Sequence, residues 1–153
     1  FYLRSVPYLK IFLISLLWSI TTVLAVIIEE NIVLNIEVFS HFISRFLFVF
    51  AITIPFDIRD IKKDTSKILT LPIIFGEKKA KILSFLAIFL FLLNTTLQFQ
   101  LNIINLKTLI SLFFLISIMA LMIYRSSKNE YYFSFWLESL SIVFLLVILV
   151  TII

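Results

Sequence analysis

Cysteine is absent from this 153-residue chain, glycine occurs once, proline three times, and charged residues make up only 14%. Without cysteine there is no disulfide-stapled secreted domain and no thiolate metal site. One glycine leaves few of the tight turns that a sheet of short hairpins requires. The shortage of charge excludes a disordered polar segment. What fills the space is apolar: 62% of residues are hydrophobic, eighteen are Phe, and the mean hydropathy is +1.17. A soluble domain has about half apolar and about a quarter charged residues, and no interior of this size can hide so much Ile, Leu and Phe. The composition indicates an integral membrane protein. Thirteen Lys and Arg against nine Asp and Glu give +4, modest for a nucleic-acid binder and ordinary for a membrane protein with basic loops.

Five apolar stretches are long enough to cross about 30 Å of hydrocarbon as helices: 8–28, 39–56, 80–97, 106–124 and 135–153. They lack period-two alternation, and lipid admits only helices or closed barrels, so the expected fold is an all-α integral membrane bundle with five transmembrane helices. No repeat or linker divides it, so residues 1–153 read as a single helical unit, expected to be a piece of something longer.

Loop charges set the orientation. Arg4 and Lys10 precede the first span, Arg59, Lys62, Lys63, Lys67, Lys78, Lys79 and Lys81 surround the 57–79 loop, and Arg125 and Lys128 fall in the last inner loop. With alternating spans all of these lie on one face, leaving Arg45 and Lys107 as exceptions. The positive-inside rule then puts the Asp-rich loop in the cytoplasm. Tyr124, Tyr131, Tyr132 and Trp136 flank the last inner loop as an aromatic belt.

One connection exceeds a dozen residues, 57–79, and long ordered connections are disproportionately functional. It opens with Asp57, Asp60 and Asp64, offsets that share one face of a helix. Three like charges there need compensation, either from Lys63 and Lys67 or from a cation. Mg²⁺ suits, since it takes one or two carboxylates and completes its shell with water and phosphate oxygens. Lys62, Lys63 and Lys67 then serve as point donors to remaining phosphate charge. A solvated amphipathic loop accounts for the same spacing, and spacing alone does not separate the two.

Further along stand Thr70-Leu71-Pro72 and Phe75-Gly76. Together with Pro55-Phe56-Asp57-Ile58-Arg59-Asp60 and Asp64, this pattern resembles the second motif of the UbiA-type intramembrane prenyltransferases. In that family a DxxDxxxD run, a short basic spacer, T-[LI]-P and a hydrophobic-Gly pair lead into the next helix. The spacer Thr65–Leu69 here lacks the glycine common in the family. The resemblance implies a nine-helix bundle of which this chain supplies helices five to nine. The family's first motif, NDxxDxxxD, has no counterpart, since the chain contains no Asn-Asp pair.

The resemblance implies Mg²⁺-dependent transfer of a polyprenyl group from its diphosphate to an aromatic or quinone-precursor acceptor. Asp60 and Asp64 match the metal-bridging pair, and Asp57 is a third ligand or a partner behind the ligands. Lys63 and Lys67 are the candidates for diphosphate contact. Glu138, near the inner end of the last span, either lines the acceptor cavity or snorkels. The implied partners are the prenyl diphosphate, the acceptor, the bilayer and the missing N-terminal helices, in cis or as a separate chain; this piece alone is expected to be inactive. The implied setting is a bacterial cytoplasmic membrane. Two rival functions remain: an inactive membrane scaffold that keeps the fold, and a transporter subunit. Against the transporter, the helices lack the Gly/Pro breaks and midplane acids of translocation paths.

Other polar residues read as structural. Arg45 snorkels or pairs with Glu37, and His41 is interfacial, with no second ligand for zinc. Asn94, Gln98 and Gln100 are interhelical or interfacial hydrogen-bonders.

Overall fold

In the computed structural model the described residues are 9–61 and 70–124, together with Phe135, Ser139, Leu140, Ile142, Val143 and Leu146. They form α1 (Leu9–Glu30), α2 (Ile36–Asp60), the short α3 (Leu71–Phe75), α4 (Glu77–Gln100) and α5 (Leu106–Tyr124), with no strand among them. Four of these, α1, α2, α4 and α5, are long and apolar enough to cross a membrane, which is compatible with a multi-pass membrane protein. The expected fifth span, 135–153, lies outside the described residues apart from the six named. Of these, Leu140 is buried in the core formed with α2, α4 and α5.

Successive long helices run antiparallel, with α2 packed between α1 and α4 and with α5 beyond α4. The helix ends are built by asparagine where glycine is scarce. Asn35 caps α2, its Oδ1 accepting the Val38 N–H at 2.9 Å, and Asn105 Oδ1 accepts the Thr108 N–H at 2.8 Å ahead of α5. Asn31 and Asn102 adopt φ of 52° and 57° just past α1 and α4. The Ile32 and Ile103 amides then reach back to the Ile27 and Gln98 carbonyls, the 6→1 bond of a Schellman ending. Gly76, at φ 84° and ψ 155°, separates α3 from α4 in a conformation essentially reserved for glycine.

The central contact is α2 on α4. The α4 face turned inward carries Ala80, Ser84 and Ala87, all buried, and α2 presents Ala51. Small residues at this spacing let two helix backbones approach closely, the usual device where lipid removes the hydrophobic drive between helices. Pro55 lies inside α2 and has no N–H for the carbonyl of Ala51, four residues back. The Ser84 hydroxyl donates to that carbonyl at 2.7 Å. Nearer the other end, Asn94 Nδ2 donates to the Ser40 carbonyl (3.0 Å) and Ser44 Oγ (2.8 Å), and Gln98 Nε2 reaches Ser44 Oγ at 3.3 Å. Asn94 and Gln98 are thus interhelical, as expected; Gln100 is exposed.

Helix bounds differ from the expected spans at the ends that carry charge. α2 runs to Asp60 rather than stopping at 56, and α4 begins at Glu77 rather than 80. The polar residues at these ends continue the helices past their apolar stretches, so hydropathy alone cuts them short.

Ser84→Ala should lower the stability of the detergent-solubilised protein by about 1 kcal/mol, because the Ala51 carbonyl loses its donor in an apolar surrounding. In a Pro55→Ala background the helix regains its own N–H donor, and the same substitution should cost distinctly less. Thermal unfolding of the four proteins in the cycle measures the coupling; equal costs in both backgrounds would refute the role given to Ser84.

Candidate functional site at the Asp57–Asp60 end

The last turns of α2 carry Asp57 and Asp60. A helix C-terminus already bears partial negative charge, so carboxylates there are disfavoured unless cations attend them. Both are attended. Asp57 is almost fully buried, and its Oδ1 accepts from Lys10 Nζ of α1 at 2.7 Å. Asp60, one turn on and partly buried, is gripped by Arg59 through two bonds, Nε to Oδ1 at 2.7 Å and Nη2 to Oδ2 at 3.0 Å. The Arg59 guanidinium sits 5.2 Å from the centroid of the Phe56 ring, where the aromatic face adds a cation–π attraction.

α3 closes the same end. Thr70 stands at its N-cap position, Pro72 occupies the first turn where a missing N–H costs nothing, and Leu71 and Pro72 are buried. Leu71 packs with Ile11 of α1, Ile54 and Ile58 of α2, and Ala80 of α4. The Thr70-Leu71-Pro72 segment therefore anchors the connection against three helices at the level of Asp57. The Thr70 hydroxyl is buried and has no hydrogen-bond partner among the described residues. From α4, Lys81 Nζ reaches the Tyr124 carbonyl at 3.4 Å, linking α4 to the end of α5.

Of the residues singled out from sequence, Asp57 and Asp60 occupy this end together. Asp64, Lys63, Lys67 and Glu138 lie outside the described residues, as do Lys62, Tyr131, Tyr132 and Trp136. Among the described residues no three His, Cys, Asp or Glu side chains gather into one group. The sequence reading missed two partners, Lys10 for Asp57 and Arg59 for Asp60, because both cations had been given to topology. A lone Lys in the first turn of α1, set against the two Asp near the end of its antiparallel neighbour, was the available signal. The structure also does not pair Arg45 with Glu37; Arg45 faces a cavity at the opposite end.

Lys10→Met should be destabilising by about 1–3 kcal/mol, since it leaves a buried carboxylate without this cation; the figure is below that of a fully buried pair because the Lys10 side chain is 37% exposed. Lys10→Met with Asp57→Asn should recover part of the loss. Thermal unfolding of the single and double variants checks this, and a double variant less stable than Lys10→Met alone would contradict it.

No family model matches the chain, and neither a curated protein nor a solved structure does.

Proposed function

We propose that the Asp57–Asp60 end is the diphosphate-binding half of a Mg²⁺-dependent intramembrane prenyltransferase of the UbiA type, transferring a polyprenyl group to an aromatic or quinone-precursor acceptor. The observation that carries this reading is the placement of Asp57 and Asp60 on successive turns at the end of a helix long and apolar enough to cross a membrane, with Thr70-Leu71-Pro72 folded back beside them. The remainder of the site comes from further helices, in cis or as a separate chain. The proposed topology has five spans with this end in the cytoplasm of a bacterial cell.

The donor set fits a hard divalent cation. Carboxylate oxygens are what Mg²⁺ selects, and the negative field at the α2 C-terminus is one that local cations already answer. In this reading Asp60 and Asp64 hold the metal, which supplies charge neutralisation on the leaving diphosphate. Asp57, bonded to Lys10, is a positioning residue that fixes the angle between α1 and the end of α2. Lys63 and Lys67 meet the outer phosphate oxygens. As the allylic C–O bond breaks, its electron pair leaves with the diphosphate, and apolar and aromatic walls exclude water from the allylic cation.

A specific observation favours the second reading, an inactive membrane scaffold. Arg59 occupies both oxygens of Asp60 and Lys10 neutralises Asp57, so the helix end is electrically satisfied by its own residues. Catalysis requires Arg59 to give up at least one of those oxygens.

Asp60→Asn or Asp64→Asn in the complete gene product should lower prenyl-transfer rate at least about a hundredfold, equal to about 2.7 kcal/mol of transition-state stabilisation, with expression and thermal stability nearly unchanged. Lys107→Gln should have no effect. The assay uses saturating prenyl diphosphate and a Mg²⁺ titration, because excess metal partly rescues a weakened site. Wild-type turnover by Asp64→Asn at limiting Mg²⁺ would leave the scaffold as the better account.

Orientation is tested separately. A cysteine introduced as Ser66→Cys should resist an impermeant thiol reagent in intact cells and react once the membrane is opened. Labelling in intact cells reverses the topology.

A further inference from the structure

The opposite end of the bundle holds a cavity of about 490 Å³ between α1, α2, α4 and α5. Its polar lining includes Thr22, His41, Ser44, Arg45, Gln98 and Thr108. Arg45 is placed on the third turn of α2, inside the stretch apolar enough to cross a membrane. It makes no ion pair or hydrogen bond among the described residues. An arginine at membrane depth is expensive to insert, and such residues pair or face a water-filled or ligand-filled space. Gln98 and Ser44 on the same wall are tied into the α2–α4 hydrogen bonds, so the wall behind Arg45 is held in place from both helices.

A second, apolar groove of about 460 Å³ lies alongside, between α1 and α2, walled by residues such as Ile20, Leu24, Leu34 and Phe42. Val23, Ile27 and Val38 line both spaces, so the two lie side by side along these three residues. One space is cationic and hydrogen-bonding, the other is apolar, and Val23, Ile27 and Val38 form the edge over which a ligand would pass from one to the other. That is the shape and polarity of a single amphiphile with a negatively charged head.

We propose that this end of the bundle binds one amphiphile carrying an anionic oxyanion headgroup, phosphate or carboxylate, with Arg45 on the head and the Val23–Ile27–Val38 groove along the start of the tail. The guanidinium fork suits an oxyanion bidentately, and the Gln98 and Thr108 side chains stand in the same lining. Because the site is at the far end of α2 from Asp57 and Asp60, it stands independently of the prenyltransferase reading.

The test is retention of lipid by the purified chain in uncharged maltoside micelles, offered an equimolar mixture of phosphatidylglycerol and phosphatidylcholine with identical acyl chains and read by native mass spectrometry. The wild type should hold one phosphatidylglycerol with a preference of about tenfold or more, as one charge-assisted contact at a partly desolvated arginine provides. Arg45→Gln should erase the preference and Arg45→Lys should keep part of it. Lys107→Gln, which removes an exposed charge at the same end, should leave it intact. Circular dichroism establishes that each variant retains its helices, and the wild-type preference is read without any variant. A parallel arm adds millimolar inorganic phosphate without lipid and follows thermal unfolding. Equal retention of the two lipids by the wild type, or a preference surviving in Arg45→Gln, would overturn the proposal. Stabilisation by inorganic phosphate equal to that by phosphatidylglycerol would overturn the amphiphile in favour of a soluble anion.

Discussion

A proline inside the helix packed between α1 and α4 sets a demand that the rest of the fold answers. Pro55 strips the Ala51 carbonyl of its helical donor, and the buried apolar surroundings offer none in return. The replacement, Ser84, can reach only if α4 approaches α2 at backbone range, which Ala51, Ala80 and Ala87 permit by having almost no side chain. Larger residues there would bury more surface and break the bond. Once α2 and α4 are locked at this depth, the Phe48 and Phe91 rings meet above it at 6.4 Å, and Leu71 of α3 finds its seat below it against Ala80. The position of the Asp-bearing end therefore follows from a hydrogen bond about two turns away.

Charge at that end follows a second constraint. Two carboxylates in the final turns of α2 oppose the helix dipole, and the chain resolves this in two ways. Asp57 is taken inside and answered by a cation from another helix, a long-range tie between α1 and α2. Asp60 is only partly buried and is answered by its own neighbour Arg59, a local tie within one turn. The first arrangement is architectural, since losing it frees the start of α1. The second joins two neighbours in sequence and so adds no tie between helices.

Much of the architecture was legible because hydrocarbon is an unforgiving solvent: a run of about twenty apolar residues has few alternatives to a helix. The 106–124 span coincides with α5, and Asn94 and Gln98, near the end of an apolar span, bond between helices as expected. Helix ends were less legible. Hydropathy ends a span where polar residues begin, yet Arg59 and Asp60 continue the helix of Ile58, and Lys78 and Lys79 belong to α4. The endings at Asn31 and Asn102 were readable in principle, as the αL positions of a chain with almost no glycine, but isolated asparagines carry a weak signal. Partnerships were the least legible. Lys10 with Asp57, and Arg45 with a cavity in place of Glu37, depend on rotation about helix axes, which a pattern of apolar residues broader than one face does not fix.

That rotation also explains how α2 serves both ends. Arg45 and Asp57 are separated by about 18 Å of helix, at about 1.5 Å rise per residue. Between them α2 carries mainly aromatic and branched apolar residues, from Phe46 to Phe56, broken by Ala51, Thr53 and Pro55. The Thr53 hydroxyl is turned back to the Val49 carbonyl at 2.7 Å, so it offers no polar path through the middle. Over such a distance two exposed charges in water would already be screened, while an apolar interior screens them less, so each charge needs a countercharge close by. An anionic ligand at Arg45 and a cation at Asp60 would thus each be compensated locally, one at each end of the same helix. The apolar middle that separates them is what holds both ends in register through α4.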